Sequence, residues 1–139
     1  MRKDGVAGHP IVGTWVVAVG LGPRIETVMH AYHGDGTAAV AAPDHATLGT
    51  WQPTGARTAD LAFMRLLLTD DGAFAGFRTT RGGAEVAEDG RTFTGTGTVE
   101  SPTPDGRTTG QRGPIRLKGS RLIAKPMGEP VGPVPGSTE

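Results

Sequence analysis

Hydrophobic and polar residues alternate with a period of two along much of the chain. In the clearest case, residues 91–100, threonines occupy the even positions from 92 to 98, whereas Phe93, Gly95, Gly97 and Val99 occupy the odd positions. Such alternation is typical of a β-strand with one buried face. Apolar and β-branched runs predict further strands at residues 13–19, 26–33, 37–42, 47–52, 60–69 and 73–80. A last hairpin is expected to run over residues 108–117, turn at 118–120 and return over 121–124.

The dipeptide Asp-Gly separates several of these segments. It occurs at residues 35–36, 71–72, 89–90 and 105–106, and once more at 4–5. Asp-Gly accommodates the positive φ angles of tight turns and is a strong hairpin signal. Consecutive strands are therefore expected to pair with their nearest neighbours in the chain.

The predicted fold is all-β, with about eight to ten antiparallel strands in a single domain. A sandwich and an up-and-down barrel both fit, but hairpins without long crossovers favour the barrel, which leaves no exposed edge and can enclose a cavity. Residues 61–68 also fit a short buried helix. The strand interpretation is preferred because Asp-Gly ends the segment and its neighbours are strands.

Three regions are expected along the chain. Residues 9–125 form the barrel domain, residues 1–8 a flexible N-terminus, and residues 126–139 a disordered tail. The tail is assigned in this way because it contains four prolines and three glycines.

Composition and charge exclude several classes of function. Lys and Arg together number 14, as do Asp and Glu, so nucleic acid and anionic membranes are not expected partners. The absence of cysteine excludes disulfides, thiolate nucleophiles and cysteine-ligated metals. No apolar run approaches the roughly 18 residues of a membrane span, and no signal peptide is evident, so a cytoplasmic location is expected. A monomer and a homodimer both remain open.

One predicted strand carries three chemically useful side chains on a single face. Glu26, His30 and Tyr32 share a face with Val28. If Tyr32 points into the barrel, as an aromatic residue near a barrel turn usually does, His30 and Glu26 point inward as well. A carboxylate, an imidazole and a phenol on one wall can exchange protons with a ligand at neutral pH. The alternative is a structural core histidine, with Glu26 at the solvent-exposed rim.

Arg65 interrupts the apolar run at residues 61–68. A buried guanidinium needs a charged partner or a wet cavity, because burying it alone is costly. Arg65 shares its face with Phe63, whereas Asp60 lies on the opposite face with Met64. Only one of Arg65 and Asp60 is therefore expected to point inward unless a bulge intervenes, and Arg65 is preferred. A structural ion pair is the alternative role for Arg65.

Further contacts to a ligand are expected from residues near this face. Arg78 is a second cationic candidate, and Trp15 and Trp51 are expected in the core or the cavity wall. The expected substrate-binding set is Tyr32, Trp15, Trp51, Phe63, Met64 and Arg78. No metal is expected, because His30 and His33 face opposite sides of a strand and no third ligand is evident.

The segment Gly13-Thr14-Trp15 resembles the Gly-x-Trp motif of lipocalins and related calycin barrels, in which the tryptophan plugs one end of the barrel. The wider pattern comprises HPIVGTW, YHGDGT, GTWQPTGART, DDGAFAGF and FTGTGTV. Over residues 9–124 it resembles small actinobacterial lipocalin-like barrel proteins. Such barrels include cofactor-free cyclases from polyketide antibiotic clusters, among them the spiroacetal cyclases of the oligomycin and ossamycin type.

This resemblance implies an enzyme that needs no cofactor and forms a spiroacetal from a hydrophobic polyketide dihydroxyketone by general acid/base catalysis. His30 would be the proton shuttle, Glu26 or Asp60 the partnering carboxylate, and Arg65 and Tyr32 the groups that hold or polarise the oxygens. Two alternatives remain open. One is a non-catalytic carrier of a hydrophobic small molecule, and the other is a barrel cyclase with different chemistry, such as a 4+2 cyclisation.

Overall fold

The structure, a computed structural model, describes residues 6–102 and 109–124. The expected disordered tail and the Asp-Gly pairs at 4–5 and 105–106 lie outside these residues. The described part contains eight strands. They are β1 (Gly13–Leu21), β2 (Arg24–Tyr32), β3 (Thr37–Ala41), β4 (Ala46–Pro53), β5 (Thr58–Leu68), β6 (Phe74–Val86), β7 (Thr92–Pro102) and β8 (Thr109–Arg121).

The strands form a closed antiparallel barrel in chain order. Each strand pairs with the next one, and β8 pairs back onto β1, from Trp15 opposite Arg121 to Leu21 opposite Ile115. This confirms the predicted up-and-down barrel, at the lower end of the expected number of strands. Residues 61–68 are a strand rather than a helix, since they pair with β4 and β6.

Three of the predicted Asp-Gly turns are hairpins in the structure. The glycines at 36, 72 and 90 have φ angles of 92°, 90° and 74°, in the region that favours glycine. Aspartate carboxylates hold all three turns: Asp35 Oδ1 accepts a hydrogen bond from the Thr37 amide at 2.9 Å, Asp89 Oδ1 accepts one from the Arg91 amide at 3.0 Å, and Asp71 Oδ1 accepts one from the Thr69 hydroxyl.

The last predicted hairpin is wrong, because β8 continues through residues 118–120. These residues pair with β1 and β7 throughout, so no turn forms there. Gly119 lies opposite Phe93, and a Cβ at this position would overlap the Phe93 ring. The glycine provides room for an aromatic ring and does not turn the chain. Similarly, β6 extends beyond its expected end at residue 80, because Gly82 allows close approach to the β7 backbone at Thr96.

The two ends of the barrel differ. At the end formed by the β2–β3, β4–β5 and β6–β7 turns, here called the closed end, Trp15 is fully buried, and its Nε1 donates to the Ile11 carbonyl at 2.9 Å. The Arg121 guanidinium lies over the Trp15 ring, 4.2 Å from its centroid. The core contains Ile11, Trp15, Val17, Val28, Tyr32, Ala38, Trp51, Ala59, Leu61, Phe63, Ala84, Val86, Phe93, Ile115 and Leu117. The end with the β1–β2, β3–β4 and β5–β6 turns is here called the open end.

Among the described residues, no helix is long and apolar enough to cross a membrane.

Candidate functional site

The barrel encloses a cavity of about 190 Å³ that extends from the core toward the open end. Apolar side chains form much of its wall, including Val19, Val28, Val40, Leu61, Phe63 and Ile115. Polar side chains that also line it are Glu26, His30, His45, Thr47, Arg65, Arg78 and Thr80. Small-molecule sites usually combine an apolar wall with polar groups that orient the ligand, and this cavity has both.

His30 lies at the inner end of this cavity. The alternation of β2 turns Val28, His30 and Tyr32 inward, and all three are buried. The His30 ring packs against the rings of Phe63 and Phe93, with centroids 5.1 Å and 6.3 Å away. Its Nδ1 is 2.6 Å from the Tyr32 hydroxyl. The structure therefore brings His30 and Tyr32 together as a hydrogen-bonded pair, with His30 nearer the cavity.

Burial keeps both members of this pair neutral. It lowers the pKa of His30 to about 4 and raises the pKa of Tyr32 well above its usual value, because both charged forms would be poorly solvated. In the described part of the chain, the Tyr32 hydroxyl has one hydrogen-bond partner, His30 Nδ1. We assign the proton of this contact to the hydroxyl, because a hydroxyl that only accepted would leave its O–H buried without an acceptor; the ring proton of His30 is then on Nε2.

This arrangement defines what His30 can do. Within the described residues, every buried polar side-chain atom has a hydrogen-bond partner, and the one hydrogen bond of His30 uses Nδ1. Its Nε2–H is therefore the group that a molecule in the cavity can meet. At neutral pH, His30 presents a neutral hydrogen-bond donor rather than an imidazolium. The expectation of a histidine that titrates near neutral pH is corrected, because burial removes the charged form from that range.

Glu26 also lines the cavity, at the other end of the same strand. It has the inward parity of β2 opposite Val19, two inward positions closer to the open end than His30, but it is exposed, which matches the solvent-exposed rim given above as the alternative. At the usual rise of an extended strand, the two backbone positions are about 13 Å apart. Glu26 and His30 therefore act on different parts of a bound molecule.

Arg65 and Arg78 lie directly opposite each other on β5 and β6, and both line the cavity. Asp60 and Met64 lie on the outer face of β5 and are exposed. This corrects the expectations that Asp60 partners His30 and that Met64 contacts the ligand. The register of β5 with β6 shifts only between Leu67 and Leu68, so strict alternation places the residues before the shift on fixed faces.

The two tryptophans belong to the closed end. Trp15 packs edge-on against Phe93 with centroids 4.9 Å apart, and Trp51 Nε1 donates to the His33 carbonyl at 2.9 Å. Neither lines the cavity that contains His30. The expected contribution of Trp15 and Trp51 to substrate binding is thus replaced by a role in the core, one of the two alternatives given for them above.

Three polar side chains of the cavity wall were not among the residues predicted from the sequence. Thr47 and Thr80 share inward faces with Trp51 and Arg78, so parity was a sufficient signal for both. His45 lies in the loop between β3 and β4, where strand parity gives no direction, and its Nδ1 is 2.7 Å from Asp44 Oδ1. The described residues contain no group of three or more potential metal ligands placed to hold an ion.

Comparison with known proteins supports the fold alone. No protein-family model matches the chain, and no curated protein matches it. Among solved structures, the chain is similar to a redesigned β-barrel with a TM-score of 0.54 and 14% identity, over 85% of this chain and 96% of that one. At this identity, the match identifies a small antiparallel barrel and no activity.

Proposed function

We propose that the protein is a cofactor-free cyclase that closes a spiroacetal from a flexible, mostly apolar dihydroxyketone. The observation that carries the proposal is the His30–Tyr32 pair, which presents a neutral N–H donor to a cavity with apolar walls. The similarity of the sequence to small lipocalin-like barrels, some of which are polyketide cyclases, guides the choice of reaction. The partner in this proposal is a hydrophobic polyketide.

Spiroacetal formation joins two hydroxyl oxygens to one ketone carbon and releases one water molecule. In the first addition, a hydroxyl oxygen attacks the ketone carbon, and the former carbonyl oxygen gains a proton to become a hemiacetal hydroxyl. That hydroxyl gains a second proton and leaves as water, and the second hydroxyl oxygen forms the remaining bond and releases its proton, which balances the proton taken up. A donor at the ketone oxygen assists both steps, because this oxygen gains negative charge in the first and departs in the second.

The residues divide this work by their depth in the cavity. His30 donates Nε2–H to the ketone oxygen, and Tyr32 fixes the tautomer that makes this donation possible. Glu26, the carboxylate that lines the cavity among the described residues, lies nearer the open end and receives the proton of the attacking hydroxyl through solvent in the cavity. Arg65 holds oxygens nearer the open end. A neutral histidine can polarise a carbonyl in this way where its surroundings suppress the imidazolium.

The size of the cavity favours control of conformation as the main contribution. Its volume of about 190 Å³ is below the roughly 300–1,000 Å³ of typical ligand sites, so it holds only the reacting segment of a long chain. Restricting that segment to one conformer near the attack geometry can lower the barrier by several kcal/mol. Spiroacetal closure proceeds slowly without a catalyst, so it needs little further lowering of the barrier by acid or base groups.

A non-catalytic carrier is the second candidate, and one observation favours it. Burial disfavours both the imidazolium of His30 and the phenolate of Tyr32, so neither group exchanges protons readily at neutral pH. In a carrier, the same Nε2–H donor would simply fix the orientation of a bound carbonyl.

Turnover of a ring-open dihydroxyketone separates the two candidates. For the cyclase, we expect His30→Ala to bind substrate but to lose roughly 10²- to 10³-fold in kcat, the usual effect of removing one oxyanion donor. His33→Ala is the matched control, because His33 is exposed beyond the end of β2. Product formation is measured by chiral chromatography. A wild-type protein that binds the substrate without accelerating closure would establish the carrier, and a folded His30→Ala variant at the wild-type rate would remove His30 from the mechanism.

A further inference from the structure

Two guanidinium groups face each other on one wall of the cavity. Arg65 and Arg78 are cross-strand partners on β5 and β6, and both are half-buried. Side chains directly opposite on one face have Cβ atoms about 5 Å apart, and like charges in such a pair destabilise the sheet. The arrangement is therefore unfavourable unless something compensates the repulsion.

The described residues supply little compensation, since Glu26, the carboxylate that lines the same cavity, makes no ion pair with Arg65 or Arg78. Arg78 Nε donates to Ser101 Oγ at 3.0 Å, which satisfies one donor without neutralising the charge. Among these residues, the close contacts between basic and acidic side chains are His45 with Asp44 and Arg57 with Glu85, and neither includes Arg65 or Arg78. Asp44 is the carboxylate whose pKa responds to Arg65, but its hydrogen bond to His45 lowers that pKa more. The Asp44 side chain is 79% exposed and is held by His45 rather than by Arg65.

We propose that Arg65 and Arg78 form an anion site that holds a carboxylate of the bound molecule near the open end of the cavity. The proposal rests on the proposed function only in that the ligand occupies this cavity. Guanidinium groups bind carboxylates through two parallel N–H···O bonds, and the planar carboxylate matches them better than a point anion. A bound carboxylate also offsets the repulsion between the two arginines.

The position of the anion site sets the class of substrate. Arg65 is one inward position beyond Phe63 on β5, and Phe63 packs against the His30 ring. Successive inward positions on a strand are about 7 Å apart. The ligand therefore carries its carboxylate at a short distance from the oxygen that meets His30, with apolar carbons between them. This describes an apolar keto acid rather than a neutral chain.

Calorimetric titration with octanoate and 1-octanol tests the site, because the two probes share one apolar chain and differ in charge. We expect wild-type protein to bind octanoate about tenfold more tightly than octanol, the effect of one charge-assisted contact. Arg65→Gln and Arg78→Gln should each weaken octanoate binding about tenfold and leave octanol binding within twofold. Arg65→Lys keeps the charge without the two-pronged geometry and should fall between wild type and Arg65→Gln.

The control is Arg91→Gln, which removes the same charge from an exposed position at the closed end. Each variant is first shown by circular dichroism to retain the wild-type β spectrum. Equal affinity for octanoate and octanol, failure of both to bind, or an equal loss in Arg91→Gln would each overturn the anion site.

The cyclase and the anion site fail in different ways. If the protein turns over a neutral dihydroxyketone but does not prefer octanoate to octanol, the cyclase proposal is supported and the anion-site proposal is wrong. Selective binding of octanoate by a protein that closes no spiroacetal would do the reverse.

Discussion

His30 shows what a single position reveals and what it conceals. Its inward direction follows from the alternation of β2, because it shares a face with Val28 and Tyr32. Its protonation does not follow from the sequence, since the lowered pKa depends on burial by Phe63 and Phe93, which belong to distant strands. Local pattern therefore predicted the candidate, and the closed barrel determines its chemistry.

The pH dependence of stability tests this protonation state. The pKa of His30 is about 4 in the folded protein and 6.5 for an unperturbed histidine. Between pH 6.5 and pH 4, His30 therefore binds a proton in the unfolded chain but not in the folded protein. We expect this contribution to be present above pH 6.5 and lost as the pH falls toward 4, by up to about 3 kcal/mol. Urea unfolding across this range measures it.

Two variants separate the contribution of His30 to the pH dependence of stability from that of the carboxylates. His30→Gln should lack this component, whereas His33→Gln, changed at an exposed position, should keep it. The aspartates at 35, 44 and 71 have lowered pKa values because of hydrogen bonds from Thr37, His45 and Thr69. Their protonation at low pH therefore lowers the free energy of unfolding in every variant alike. Parallel profiles for wild type and His30→Gln would contradict a neutral, buried His30.

Strands and most hairpins were predictable because their signals are local. The even and odd faces of β7 follow from the threonines alone, and Asp-Gly marks the turns at 36, 72 and 90. The continuous β8 was not predictable, because Gly119 makes room for Phe93, a residue far from it in the chain. A glycine that makes room for a ring and a glycine that turns the chain look alike in sequence.

A pair of substitutions distinguishes these two kinds of glycine. Gly119→Ala places a methyl group against the Phe93 ring, and we expect a loss of about 1–3 kcal/mol in the free energy of unfolding. Gly20→Ala is the control in β1, where the nearest atom to a new Cβ is Arg116 Nη2 at an ordinary 3.7 Å. It should change stability by less than about 0.5 kcal/mol. Equal losses in the two variants, measured in urea, would show that Phe93 does not require the glycine.

Across the whole barrel, the closed core and the cavity lie toward opposite ends. The cavity and its charged residues occupy the open end, whereas Trp15, Tyr32 and Phe93 separate it from the closed end. Arg121 completes the closed end: its Nε donates to Gly90 O and its Nη1 to Val12 O, both at 2.8 Å, and its Nη2 donates to Pro10 O. The sequence indicated Trp15 through Gly-x-Trp, but its cation lies at the far end of the chain.

The glycine of that motif has a structural reason. Gly13 has a φ of 136°, and a Cβ there would meet Arg121 Nη1. The motif thus encodes a place for the guanidinium as well as the tryptophan that it covers. The Gly-x-Trp motif predicts Gly13 and Trp15 but not the guanidinium that covers the tryptophan. Arg121 reaches this position only because β8 pairs with β1.

Arg121→Met therefore separates the two ends. It removes three hydrogen bonds to carbonyls and the charge over Trp15, and we expect the free energy of unfolding to fall by about 3 kcal/mol. Arg116→Met, on the exposed face of the same strand, should change it by less than about 0.5 kcal/mol. Octanoate affinity of the folded Arg121→Met variant should stay within twofold of wild type, because the Trp15 layer lies between Arg121 and the cavity. A loss of affinity that accompanies the loss of stability would mean that the closed end shapes the ligand site, and the division of the barrel into two independent ends would be wrong.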